Sequence, residues 1–315
     1  MATLLPPPGS PLTSSGSEDG FAAQPESQRR WKKLTIPEGN NLMRKIREAK
    51  AWHSEKTLED CNYRVGTPNT PLHVSASSPN APNPRKRPMV AIDCEFVGIK
   101  EGPSNDASYL GQIVVVDVLR NNLLLDLLVR PPVPITNYRT KYSGLNAEVY
   151  RKYANKNQVV DGIGGAVEAL FKLIDQDTVI VGHALHNDLN MLGLVHPKCL
   201  DTQILARELF LKYVGDGRAT WPTWKLRDLC KWFLNIAIQD NQQGHDCYED
   251  TMATRELLLF MKDEKNKKNE AKIKDWVERE KGSRQAWQSR SWVVPAPKEK
   301  RSYQQIISEG QSWVM

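Results

Sequence analysis

Two carboxylates follow an apolar run in the segment 89–98, and their spacing suits a metal site. The run reads Met-Val-Ala-Ile, and Asp93 and Glu95 come after it, separated by one residue. Alternate residues of a strand face the same way, so a buried strand here would project both carboxylates together. Two like charges in a core are unfavourable, and a divalent cation relieves that conflict. The alternative is a strand that ends and turns acidic in solvent, and this segment alone favours neither interpretation.

A second apolar run, 178–182, also leads into a polar turn that carries an aspartate. Asp188 falls in the first turn of the helix that we expect to follow. A carboxylate is favourable at that position because of the helix dipole, so a purely structural role is the alternative. His183 and His186 lie in the same turn, but their spacing matches no zinc pattern. We expect these histidines to form structural hydrogen bonds or to line the rim of the site.

A third segment, 244–253, combines a histidine with acids at the start of a helix. Asp246 and Glu249 have the spacing of a capping box. This places His245 just outside the helix, on backbone that we expect to be flexible, and Asp250 one turn inside it. A histidine titrates near neutrality and, beside a metal–carboxylate cluster, suits general-base work on a water molecule. The alternative for a lone exposed histidine is an ordinary surface residue.

These three segments together offer four carboxylates and a histidine, and no cysteine ligand. The acids are Asp93, Glu95, Asp188 and Asp250, and the histidine is His245. Oxygen ligands of this kind favour Mg²⁺ or Mn²⁺ over Zn²⁺. Two such ions close together can activate a water molecule and stabilise the leaving oxygen in phosphodiester hydrolysis.

Alternating strands and helices must position these residues, which predicts an α/β fold with a sheet covered by helices. The predicted strands are 89–96, 112–118, 123–129, 178–182 and a short one at 200–202. Short connections make the first three an antiparallel meander. The predicted helices are 160–174, 186–194, one ending near 212, one through 226–234 and one over about 246–261. The long polar loop 131–144 is of a length that is often functional.

Composition restricts the class of protein. The 315 residues include 43 Lys and Arg against 37 Asp and Glu, a formal charge of +6 that permits a polyanionic partner without requiring one. Five cysteines without a CxxC pair favour a reducing compartment over a disulfide framework. The first residues lack the features of a secretory signal, and no apolar run is long enough to span a membrane. We therefore expect a soluble intracellular protein with no membrane partner.

The flanks differ in composition from the central domain, 89–261. Within 1–88, residues 1–30 are expected to be disordered, 41–52 to hold a short amphipathic helix, and 66–88 to be a linker. The basic segment 84–88 either serves as a nuclear address or is a solvated charge cluster. The tail, 262–315, begins with a charged helical run whose simplest interpretation is a solvated helical face. Its four tryptophans among basic residues either bind single-stranded nucleic acid or pack onto the domain or a partner.

The order Asp-x-Glu, Asp, His-x4-Asp resembles the DEDDh family of 3′-to-5′ exonucleases. Within that family, the sequence is most similar to the interferon-stimulated exonuclease and nuclear RNA exonuclease group. The resemblance covers about 89–261 and is carried by DCEFVG at 93–98, ITNYRT at 135–140 with the Ser-Gly at 143–144, VGH at 181–183 with Asp188, LDT at 200–202, LRDL at 226–229, and the Gly-His at 244–245 with EDTMAT at 249–254.

The resemblance implies an RNase H-like fold, with a mixed five-stranded sheet between helices. It implies that the four acids hold two Mg²⁺ or Mn²⁺ ions and that His245 deprotonates the attacking water. It also implies that Arg139, in the Tyr-Arg-Thr loop, lies near the nucleic-acid backbone or ribose. Asp201 and Asp228 match as well, and we interpret them either as structural or as residues that support the metal ligands from behind.

One residue departs from the family pattern. The position after Glu95 is commonly Met in this group and is Phe96 here, which can stack on the terminal base and leaves the choice of sugar open. The expected function is a metal-dependent exoribonuclease that acts on single-stranded RNA and releases nucleoside 5′-monophosphates. The alternatives are an exonuclease for single-stranded DNA, an inactive binding module and a scaffold; the intact catalytic set argues against inactivity. The expected location is nuclear or nucleolar, with the cytoplasm as the alternative.

Overall fold

The computed structural model describes residues 31–64, 86–102, 104–214, 223–240, 244–263 and 266–288. Within these ranges, the apolar run before Asp93 is a central strand of a mixed sheet. The strands of this sheet are β1 (Met89–Glu101), β2 (Ser104–Asp117), β3 (Asn122–Arg130), β4 (Ile135–Asn137), β5 (Val159–Asp161), β6 (Val179–Gly182) and β7 (Cys199–Asp201).

The sheet confirms the predicted α/β class and every strand that the sequence predicts. Its order is β5, β3, β2, β1, β6, β7, and β4 also pairs with β1. The first three strands form the expected antiparallel meander, whereas β6 joins β1 in parallel and β7 joins β6 in parallel. The sheet has seven strands rather than the predicted five. The two additional strands, β4 and β5, have three residues each, too few for an alternating pattern to reveal them.

Helices cover both faces of this sheet. The helices are α1 (Ile36–Glu48), α2 (Glu55–Asp60), α3 (Thr140–Ser143), α4 (Ala147–Ala154), α5 (Gly162–Phe171), α6 (His186–Leu192), α7 (Thr202–Val214), α8 (Leu226–Leu229), α9 (Cys247–Lys262) and α10 (Lys267–Gln288). Helix α8 continues as a π-helical turn, Cys230–Leu234.

The two faces of β1 pack against different helices. Val90, Ile92 and Cys94 share a buried cluster with residues of α5 and α6. The alternate residues face the other way, where Cys247 at the start of α9 contacts Asp93. The end of β1 is therefore the place where α9 and the β6–α6 turn can bring further side chains to Asp93.

The segment before β1 contains more helix than the sequence predicts. Helix α1 begins at Ile36, because Thr35 and Glu38 form a capping box there, and it ends well before the predicted limit at residue 52. Its Met43 and Ile46 are buried. The predicted disorder of residues 1–30 and most of the predicted linker lie outside the described residues.

The charged helix α10 packs its aromatic residue into the domain. Trp276 is 1% exposed, and its ring contacts those of Phe210, Trp224 and Phe233. For this tryptophan, the structure shows the packing alternative rather than a face open to nucleic acid. The side chains of the other three tail tryptophans lie outside the described part of the chain.

Described residues on both sides of the predicted central domain, 89–261, pack against it. The described residues from Lys32 onward belong to one compact unit. Both α1 and α10 contribute buried side chains to it. Among the described residues, none of the helices has the length and apolar character needed to span a membrane.

Candidate metal centre and active site

The strand β1 presents Asp93 and Glu95 on one face, as their spacing predicts. Pairing with β2 is regular up to Glu95 and then shifts by one residue, which leaves Gly111 as the extra residue of a bulge. A side chain at Gly111 would meet Leu145 at 2.7 Å and Val97 at 2.9 Å. Bulges bend a strand and often lie beside active sites, where they aim side chains. This bulge ends the regular register directly after the two carboxylates.

The start of α9 brings two further groups to Glu95. One ligand atom from each of Glu95, His245 and Asp250 can be chosen so that all three lie within 4.8 Å of one another. His245 Nδ1 lies 3.5 Å from Asp250 Oδ2, and Gln239 Nε2 donates a hydrogen bond to the same oxygen at 2.7 Å. The carboxylate of Asp250 is thus oriented by Gln239, a residue that the sequence analysis did not identify.

A cysteine holds Asp93 from the other side. Cys247 donates its thiol hydrogen toward Asp93 Oδ2, with a sulfur–oxygen distance of 3.4 Å. Its sulfur also lies within 4.8 Å of oxygens of both Asp93 and Glu95. From the sequence we expected no cysteine at the metal; the position of Cys247 directly after the helix cap Asp246 is the signal that could have revealed this contact.

Asp188 joins the cluster from α6. It is 4% exposed in the first turn of that helix, as the sequence predicts. Its negative charge contributes to a pKa of Asp93 that is well above the usual range, after the larger effect of burial. The four acids therefore come together at one place from three separate segments of the chain.

The carboxylates disfavour one another's charge. Burial, followed by the charges of Asp93 and Asp250, raises the pKa of Glu95 to about 10. Burial raises the pKa of Asp188 to about 8. The pKa of Asp250 is also raised well above its usual range, first by burial and then by Asp93. Such a cluster is stable in its charged form only with compensating positive charge.

One oxygen of the cluster is unsatisfied within the described part of the chain. Asp250 Oδ1 is buried and accepts no hydrogen bond there. Buried polar atoms are nearly always paired, and an exception is often explained by a bound ion. Clustered carboxylate oxygens, together with this orphan atom, fit hard divalent cations such as Mg²⁺ or Mn²⁺.

His245 is held more firmly than the sequence predicts. Its backbone nitrogen donates to the Tyr142 carbonyl at 3.2 Å. Gly244 before it has φ +98°, and a Cβ there would lie 2.6 Å from the Gly144 nitrogen and closer still to the Thr140 carbonyl oxygen. The expectation of flexible backbone was therefore wrong, because the glycine permits close packing against α3 rather than motion. Burial, and then the charge of Arg227, lowers the pKa of His245.

Gly244→Ala is expected to lower kcat on RNA by about 10- to 100-fold, because a displacement of His245 of about 1 Å has that effect. Steady-state kinetics on a labelled oligonucleotide measure this. Gly164→Ala is the control, since a methyl group at Gly164 meets nothing within 4 Å. Equal activity of both variants would contradict the role of Gly244 in fixing His245.

The cap of α9 is half of the predicted capping box. The Asp246 side chain accepts hydrogen bonds from the Tyr248 and Glu249 nitrogens, as expected. The Glu249 carboxylate instead accepts from the Gln239 nitrogen at 3.2 Å. Glu249 therefore fixes the backbone of the same Gln239 that binds Asp250.

The two residues predicted to contact substrate, Phe96 and Arg139, pack against other parts of the fold. Phe96 is half-buried and packs against the cluster under α5 and α6, on the strand face opposite Asp93. Arg139 adopts a left-handed conformation with φ 52°. Its guanidinium donates to the Ser108 hydroxyl and the Asp106 carbonyl, both at 2.8 Å, so it is fixed against β2.

The structure places three further polar residues of the matched motifs, and hydrogen bonds within the fold fix two of them. His183 is hydrogen-bonded through both ring nitrogens, to the Thr202 hydroxyl at 2.9 Å and to the Trp224 carbonyl at 3.0 Å. Asp201 is buried and accepts backbone hydrogen bonds at the β6–α6 turn. Asp228 is exposed and pairs with its neighbour Arg227. These positions confirm the structural interpretation of His183 and Asp201.

Comparisons with known proteins find related nucleases. The human apoptosis-enhancing nuclease is 35% identical over 198 residues, covering 63% of this chain and 57% of that protein. Small RNA degrading nuclease 2 of Arabidopsis thaliana is 32% identical over 204 residues, covering 63% of this chain and 40% of that protein. The chain thus spans about half the length of the curated relatives it matches.

A solved structure shows the same fold. The pseudoubiquitin hydrolase–RNA exonuclease module of Saccharomyces cerevisiae Pan2, in complex with AAGGAA RNA, superposes with a TM-score of 0.51. The match is 22% identical in sequence and covers 75% of this chain and 37% of that one. The family model described as exonuclease, RNase T, matches residues 90–258. The resemblance to the DEDDh exonucleases is confirmed, and this chain belongs to the exonuclease family.

Proposed function

We propose that this protein is a metal-dependent 3′-to-5′ exoribonuclease that releases nucleoside 5′-monophosphates from single-stranded RNA. The observation that carries the proposal is the convergence of Asp93, Glu95, Asp188 and Asp250 on one another beside His245. An unpartnered buried oxygen of Asp250, within the described part of the chain, supports a cation at that point. The family match and the relatives named as nucleases support phosphodiester hydrolysis.

The four acids are the residues that would hold two Mg²⁺ or Mn²⁺ ions. When bound, such ions supply positive charge to the attacking and leaving oxygens of an in-line displacement. Cys247 and Gln239 position the carboxylates of Asp93 and Asp250 through their hydrogen bonds.

His245 would take the proton of the attacking water. Its Nδ1 faces Asp250 Oδ2 at 3.5 Å, so Nε2 is the ring nitrogen that remains for the proton. The backbone of His245 is held in place by its hydrogen bond to the Tyr142 carbonyl and by the close packing of Gly244. Because the base is already fixed, it loses little orientational freedom when the reaction begins, and this favours proton transfer.

Phe96 packs on the face opposite Asp93 but is only half-buried, so part of its ring remains open to a terminal base. Phe96→Ala is therefore expected to raise KM for single-stranded RNA by about tenfold or more, since base stacking on an aromatic ring contributes about 1–3 kcal/mol. Phe171→Ala is a matched control, because Phe171 also packs half-buried against the same cluster but at the end of α5. Initial-rate measurements over a range of RNA concentrations separate KM from kcat. A rise in KM of the same size in both variants would show a packing effect instead of stacking.

The choice of substrate is tested with 5′-labelled oligonucleotides of one sequence, as single-stranded RNA, single-stranded DNA and duplexes. We expect products that shorten from the 3′ end, fastest on single-stranded RNA, and chromatography that identifies nucleoside 5′-monophosphates. If single-stranded DNA is shortened faster than RNA, the preferred substrate is DNA. Internal cuts or 3′-phosphate products would contradict it.

A nuclear location stays a proposal based on the basic segment 84–88. Lys86 Nζ donates to the Ile174 carbonyl at 2.9 Å, and the Arg87 guanidinium lies 3.8 Å from Asp117. These two basic side chains are half-buried, so an import receptor would have to release them first. Imaging the protein with Lys86 and Arg87 changed to Gln tests whether the segment directs it to the nucleus.

A further inference from the structure

A segment upstream of the matched family region packs against the turn that delivers Asp188. The family match begins at residue 90. Before it, Leu58 of α2 and Tyr63 belong to the same buried cluster as Leu185 and Leu189 at the start of α6. The backbone nitrogen of His53 donates to the Cys199 carbonyl of β7 at 3.0 Å. This upstream segment therefore contacts both β7 and the helix that carries Asp188.

Tyr63 joins the turn through Asp201. The Tyr63 hydroxyl donates to Asp201 Oδ2 at 2.6 Å. The same carboxylate accepts from the Ala184 nitrogen through Oδ1 and from the Leu185 nitrogen through Oδ2, both at 3.0 Å. One buried aspartate therefore ties the upstream tyrosine to the two residues that open the turn before Asp188.

The turn needs such support because its backbone is strained. Ala184 has φ 52°, a left-handed conformation that residues with a Cβ adopt rarely. Conformations of this kind persist only where surrounding contacts fix them, and they are concentrated at functional sites. Four residues further on, Asp188 enters the carboxylate cluster. A change in the angle of the turn therefore moves the Asp188 carboxylate relative to Asp93.

We propose that Tyr63 is a positioning residue for Asp188, acting through Asp201, so that the segment upstream of the family domain completes the metal centre. The proposal deepens the proposed function and rests on it. The Tyr63 ring is buried against α6 whether Tyr63 positions Asp188 or only fills the core. The hydroxyl is therefore the group that distinguishes the positioning role from simple packing.

The test compares Tyr63→Phe with the wild-type protein. This change keeps the ring and removes only the hydrogen bond to Asp201. We expect the Kd for Mn²⁺, measured from the electron paramagnetic resonance signal of free Mn²⁺, to rise about tenfold, as happens when a ligand's outer partner is lost. On RNA, kcat is expected to fall while KM stays unchanged, because the change does not touch Phe96 or Arg139.

Thr178→Val is the matched control. It removes a buried hydroxyl that donates to the Arg87 carbonyl at 2.8 Å, just before β6 and at the opposite end of that strand from the turn that leads to Asp188. A thermal melt shows the stability that each variant loses, and we expect the control to keep the wild-type Kd for Mn²⁺. If Tyr63→Phe lowers Tm but leaves the Mn²⁺ Kd and kcat at the wild-type values, Tyr63 only fills the core and the inference is overturned.

Different results would contradict the exonuclease function and the positioning role of Tyr63. If Tyr63→Phe weakens Mn²⁺ binding but the wild-type protein does not shorten RNA, the proposed function is contradicted and the positioning role stands. A wild-type protein that shortens RNA, with a Mn²⁺ affinity indifferent to Tyr63→Phe, would contradict the positioning role alone.

Discussion

Asp93→Asn is expected to lower kcat on single-stranded RNA by about a thousandfold or more, without unfolding the protein. The amide keeps the shape of the side chain but removes a ligand charge. Charge stabilisation by a bound metal amounts to several kcal/mol, and each 1.4 kcal/mol corresponds to a factor of ten in rate. Single-turnover kinetics with excess protein measure the chemical step directly.

Although Asp93→Asn is expected to lower activity, it is not expected to lower the stability of the metal-free protein. In the wild-type protein, Asp93 lies among carboxylates whose charges disfavour one another. We therefore expect the metal-free Asn variant to be at least as stable as the metal-free wild type, and to gain less in Tm when Mg²⁺ is added. Asp161→Asn is the control, because it changes the same charge on a side chain that is 81% exposed. A variant that keeps its activity, or that loses it only by unfolding, would contradict the role of Asp93.

His245→Ala is expected to lower kcat by about 100- to 10,000-fold while metal binding remains, since general-base catalysis contributes that much. The imidazole lies 3.5 Å from the Asp250 carboxylate. Its removal leaves all four of the acids proposed to bind metal in the protein. Mn²⁺ affinity measured on the same samples separates the two roles.

A second variant at this position removes an ambiguity. His245→Gln retains a group that can hydrogen-bond to Asp250 but cannot accept the proton of water. We expect it to be as slow as His245→Ala. Because an atom of His245 can lie within 4.8 Å of oxygens of Glu95 and Asp250, a role as a metal ligand is the competing account. Loss of Mn²⁺ binding in both variants would favour that account over the general base.

The sequence predicted where Asp93, Glu95 and Asp250 lie on their strand and helix, because the determinants of these positions are local. Period-two alternation places Asp93 and Glu95 on one face of β1, and the Asp246 cap places Asp250 one turn into α9. These rules need only neighbouring residues. The start of α1 was predictable in the same way from Thr35 and Glu38, whereas the spacing of apolar residues alone places the helix too late.

The remaining features depend on contacts between distant parts of the chain. Gln239 reaches Asp250 only because of the packing before α9, and the Tyr63 hydroxyl meets Asp201 across 138 positions of sequence. The glycine before His245 suggested flexible backbone, since the sequence does not show that α3 packs against Gly244. The supporting contacts of the site therefore had to come from the structure.

The most direct test of the central claim is the metal dependence of 3′ shortening. Protein stripped with a chelator is incubated with 5′-labelled single-stranded RNA, alone and after addition of Mg²⁺ or Mn²⁺, and the products are separated on a denaturing gel. The account predicts a ladder that shortens from the 3′ end only when metal is restored. Shortening that continues in the chelator, or that survives Asp93→Asn, would contradict it.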